Sequence, residues 1–107
     1  MMALSACTIA SLEDRRAFES LSESIHLGAP CATWQDDGQA AQLHARRNAI
    51  EMRSKSLGLH GAFERGADKA DEFLAVVELD CSDVRKLRAA HMHDLEQAEI
   101  FLAQRER

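Results

Sequence analysis

The sequence predicts an all-α fold, a single-domain antiparallel bundle of about four helices, on three observations. Apolar residues recur at spacings of three and four in four separate segments. Gly28, Gly58, Gly61, the single proline and aspartate clusters fall between those segments, and no proline occurs after residue 30. A chain of 107 residues is the size of one domain, and its core is too modest to enclose a deep multi-substrate site.

The first helix is predicted over about residues 9–27. Ser11 can cap its free amides, Glu13 and Asp14 suit the positive end of the helix dipole, and Phe18, Leu21 and Ile25 form one apolar stripe. Gly28 then reads as the residue that ends the helix, followed by a loop over 28–37 with Pro30, Cys31 and the only tryptophan, Trp34. Trp34 either folds back over one end of the bundle or anchors a partner, since tryptophan concentrates binding energy.

The second helix is predicted over 38–57, with Asp36 or Asp37 as its cap. Leu43, Ile50 and Leu57 repeat every seven residues, while Ala41, Ala45, Ala49 and Met52 make a second, small-residue strip. Two apolar faces suit either a central helix or the seam of a homodimer. The third helix is predicted over 62–79. Ala67, Ala70, Phe73, Leu74 and Val77 keep helical spacing, although Phe73–Val77 could also pass for a buried strand, and Gly66 reads as a kink or a late start. The fourth, over 83–106, follows the capping cluster Asp80–Asp83. Val84, Leu87, His91, Leu95, Ala98, Phe101 and Leu102 share its inner face, with Arg85, Lys86 and Arg88 assigned to solvent.

The net charge of −5 opposes general nucleic-acid binding, because phosphate recognition needs a concentrated cationic face. That charge is unevenly placed. Residues 1–37 carry six acids against two bases and residues 61–83 seven against two, whereas 38–60 carry one acid and four bases. An antiparallel bundle would set Arg46, Arg47, Arg53 and Lys55 beside Glu19, Glu23, Asp68, Asp71 or Glu72. The same acids, offered on one face by the first and third helices, would steer a basic protein partner.

Chemistry is hard to place on this chain. The phosphate-cradling glycine motifs, the GxSxG nucleophile elbow and the HExxH metal pair are all absent from the sequence, and the register of a tetratricopeptide unit is not met. His91 and His93 point about 200° apart on a helix, so they cannot share a metal ion; His91 reads as a hydrogen-bonded core histidine. Ligation by His26, His60 and Cys81, or a thiol role for Cys31, is the alternative function. Three cysteines without a CxxC pair suggest unbridged thiols in a reducing, cytoplasmic setting. Leu4-Ser5-Ala6-Cys7 resembles a bacterial lipobox, but no Lys or Arg precedes it and the apolar stretch is short, so no signal peptide is predicted. The expectation is therefore a noncatalytic, acidic, helical protein-binding module, of inhibitor, adaptor, immunity or chaperone-like kind, with no cofactor, metal or membrane and a possible homodimer through helix 38–57. Its candidate contact residues are Trp34, Asp68, Asp71, Glu72, Glu19 and Glu23.

Overall fold

The computed structural model describes residues 10–106, which form four helices and no strand: α1 Leu12–Ala32, α2 Gly38–Ser56, α3 His60–Leu74 and α4 Val84–Arg105. The predicted start at residue 9, Cys7 and the terminal Arg107 lie outside the described residues. Three helices open on the caps their sequences offer. Ser11 accepts from the Asp14 N–H at 3.0 Å, Asp37 from Ala40 at 2.9 Å and Asp83 from Lys86 at 3.2 Å. α3 has no side-chain cap; the chain turns into it at Gly58, whose φ of 72° favours glycine.

α1 does not stop at Gly28 but continues through Pro30 to Ala32. Gly28 proves to be a contact residue rather than a terminator: a Cβ there would stand 3.2 Å from Nδ1 of His91 on α4. Pro30 removes one ladder bond. Beyond it, the Thr33 N–H and Oγ1 both donate to the Ala29 carbonyl, at 2.9 and 2.7 Å, and close the helix.

α3 ends at Leu74, short of the predicted 79. Its buried face is Ala62, Phe63, Gly66 and Ala70, packed on α1. Lys69 already reaches Glu19, near the start of α1, so a longer α3 would run past its packing partner. Phe73, Val76 and Val77 consequently stay in solvent instead of entering the core. Gly66 is neither a kink nor a late start. A Cβ on it would lie 2.6 Å from the Glu19 carbonyl oxygen and from Ser22 Cβ, so glycine is what lets the two backbones touch. Ser22 seals this contact by donating to the Phe63 carbonyl at 2.6 Å.

α1 and α4 are antiparallel, meeting through Asp14–Arg105, Phe18–Phe101, Gly28–His91 and Ala32–Arg88. Phe18, Ile25, Leu43, Ile50, Leu59, Phe63, Leu95 and Leu102 fill the core, and the predicted α2 heptad of Leu43, Ile50 and Leu57 points inward. The cations of α2 do not pair as predicted. Arg46 forks onto Glu99 of α4 and Arg53 onto Glu106 just past its end, because α2 packs against α4 and α3 rather than against α1, where Glu19 is held by Arg65 and Lys69 of α3.

Candidate partner-binding surface

The surface is organised by a side chain that the helical pattern had assigned to solvent. Arg88 lies at a buried position of α4, spaced four residues from Val84 and three from His91, and only 7% of it is exposed. Its Nε donates to the Ala32 carbonyl at 2.7 Å, closing an orphan acceptor at the end of α1. Nη2 donates to the Gln35 carbonyl at 3.1 Å, and both terminal nitrogens grip the Asp37 carboxylate at 2.8 and 3.0 Å. The guanidinium and the amides of the following helix hold the Asp37 carboxyl below the usual carboxylate range. One arginine thus fixes the whole loop 33–37, and with it the backbone that carries Trp34.

Cys31 and Cys81 form a disulfide, where unbridged thiols were expected. An odd cysteine count hid the pair: the bond takes two of the three, at a sequence separation of 50, and the spacing alone held no framework. Its consequence is mechanical. α3 approaches one end of α1, where Lys69 meets Glu19, whereas Cys81 is tied to Cys31 near the other. Residues 75–83 therefore travel back along the bundle as a strap of about 20 Å, the rise of the intervening turns of α1. The strap is exposed nearly throughout. Val76 is 83% accessible, and the backbone N–H groups of residues 77–81 make no hydrogen bond among the described residues.

Trp34 sits beside the pinned end of this strap. It is 72% exposed, which excludes the reading in which it folds over the bundle, and it lines a groove of about 340 Å³ with Pro30, Leu79, Cys81 and Ser82. A large apolar ring held in solvent by a braced loop is costly to leave unused and is typical of binding hot spots.

The acidic candidates divide. Glu19 bonds Arg65 and Lys69, which lower its pKa, so its carboxylate already clasps α1 to α3. Glu23 is half-buried and forms no ion pair among the described residues. Asp68, Asp71 and Glu72 are exposed and form no ion pair among the described residues; Asp68 and Asp71 line a separate cleft of about 530 Å³ that also holds His26, Arg47, Glu51 and Glu64. The structure therefore does not join the six predicted residues into one face. Beside Trp34 it adds Pro30, the disulfide and Leu79, the last of which the helical reading of 62–79 had concealed.

The histidines are scattered. His60 reaches Glu51 and Glu64, and His26 lies against the Ser22 carbonyl. His91 is buried as predicted, 1% exposed, but its Nδ1 has no hydrogen-bond partner among the described residues. Burial, reinforced by the nearby Arg46, His26, Arg47 and His44, pushes its pKa down to about 4. Among the described residues no three His, Cys, Asp or Glu side chains converge as a metal site, and Cys31 and Cys81 are bonded to each other rather than held as two free thiols. No described helix is long and apolar enough to cross a membrane. No protein-family model, curated protein or solved structure matches the chain.

Proposed function

We propose that this domain is a noncatalytic protein-binding module that works by surface complementarity, in the manner of an inhibitor, adaptor, immunity protein or secretion chaperone. The observation that carries the reading is Trp34, exposed on a loop that Arg88 and the disulfide brace from both sides. A preorganised aromatic anchor loses little entropy when a partner covers it. Asp68, Asp71 and Glu72 add an unpaired acidic patch that would draw in a basic surface and speed the encounter. Two of the four α2 cations are already committed, Arg46 to Glu99 and Arg53 to Glu106, which weakens a competing phosphate site on that helix.

Two further proposals accompany this reading. The disulfide favours an oxidising compartment over the cytoplasm as the working location. Ala41, Ala45, Ala49 and Met52 form an exposed strip on α2 that would serve a homodimer. Light scattering over a concentration series checks the dimer, and a constant monomer mass removes it. The central reading is checked with the protein that co-purifies from the native host. Its affinity should fall at least about tenfold on Trp34→Ala, and in a salt-sensitive way on reversing Asp68, Asp71 and Glu72 to Lys. Unchanged affinity for Trp34→Ala overturns the reading.

A further inference from the structure

Resting on that reading, we infer that the strap 75–83 is a docking edge for an extended segment of a partner in which apolar residues alternate with Lys or Arg. Three features specify this occupant. Among the described residues the N–H groups of 77–81 are unpaired in an exposed, non-helical stretch, so their donors are free to bond an extended segment laid alongside. Paired as a strand, the strap would present Val77, Leu79 and Cys81 to one side and Glu78, Asp80 and Ser82 to the other, because side chains alternate. An incoming segment would then lay its apolar residues toward the Trp34–Leu79 groove and its cations toward the carboxylates.

Charge sets the sign of the partner. Residues 71–83 hold five acids, Asp71, Glu72, Glu78, Asp80 and Asp83, and no base. Asp83 is occupied as a helix cap and Asp80 by the Ser82 N–H, which leaves Asp71, Glu72 and Glu78 for a partner. A second copy is a poor occupant, since a symmetric contact would set this acidic edge against itself. The Cys31–Cys81 bond holds the edge in place beside Trp34, so docking of a segment need not first order the strap.

The test uses the oxidised 107-residue chain, two short synthetic peptides alternating Val with Lys and Val with Glu, and the emission of Trp34, the only tryptophan. The Val/Lys peptide should shift the emission saturably and give hydrogen-exchange protection to residues 77–81, and the Val/Glu peptide should bind at least about tenfold more weakly. Val77→Ser with Leu79→Ser, at partly or fully exposed positions that circular dichroism should show folded, should weaken the Val/Lys peptide at least about tenfold. Equal binding of both peptides overturns the inference, as does absence of binding, binding without protection of 77–81, or full affinity in the double variant, which would place the peptide in the Asp68–Asp71 cleft. Self-association of the parent chain that the double variant abolishes makes a second copy the occupant and overturns it as well. Any of these failures alongside a native partner still dependent on Trp34 removes the extended basic segment and leaves the binding module standing.

Discussion

The seam between α1 and α4 and the strap between α3 and α4 share an end at Cys31–Ala32, yet they are built on opposite terms. Along the seam Phe18 stacks on Phe101 with ring centres 5.6 Å apart, Ile25, Leu95 and Leu102 are fully buried, and Arg88 and Arg105 close the two ends with hydrogen bonds. Along the strap Val76 and Leu79 stand in solvent, the N–H groups of 77–81 are unpaired, and one covalent bond does the holding. The contrast shows how a small bundle can offer an apolar edge without losing its fold: stability is concentrated in one interface, and the exposed edge is tied to it.

The contrast breaks most severely when the tie is cut. Replacing Cys31 and Cys81 by Ser frees a loop spanning 50 residues of sequence and should lower unfolding free energy by about 3–4 kcal/mol, read from a urea midpoint. Proteolysis of that variant should fall first within the strap; cleavage starting inside α4 would contradict the division. Gly66→Ala attacks the rigid half, because its Cβ would meet backbone at 2.6 Å on α1. A loss of about 3 kcal/mol is expected, although alanine is the better helix former.

Acid sharpens the comparison next. With its pKa lowered from 6.5 to about 4, His91 stays neutral in the folded seam while the unfolded chain takes up a proton. Stability should therefore fall as pH drops from about 6.5 to about 4, by roughly 2–3 kcal/mol in all, and His91→Leu should flatten that window. Asp14, Glu19, Asp37 and Glu106 act lower on the scale. Their cationic partners depress their pKa values, so their contribution is present above the ordinary carboxylate range and lost as pH falls through the folded values. The smallest effect belongs to the strap: Val76→Ser should shift stability by less than about 0.5 kcal/mol, since the side chain is 83% exposed.

The same division separates what was legible in the sequence from what was not. Caps at Ser11, Asp37 and Asp83, the α2 heptad and the inner face of α4 are local patterns, and each corresponds to a structural element. Arg88 was misassigned because charge outweighed position: it falls in register with Val84, His91 and Leu95, and that register was the available signal. Gly28 and Gly66 look like helix breakers by propensity, but tertiary contacts make Gly28 a tight packing site against His91 and Gly66 an obligatory one against the α1 backbone. The run Phe73–Val77 looks like core because hydrophobicity cannot report that α1 ends beside α3; the pairing of two distant cysteines is equally non-local. Of the site, Trp34 was readable from its residue type and its loop, whereas the groove and the strap edge required the fold.

Native-state hydrogen exchange of the oxidised chain compares the two regions in one experiment. Amides of residues 77–81 should exchange close to the rate of an unstructured peptide while those of residues 95–102 in α4 are protected to near the global unfolding limit. Protection of the strap comparable to that of α4 would contradict the claim that this edge is held open for a partner.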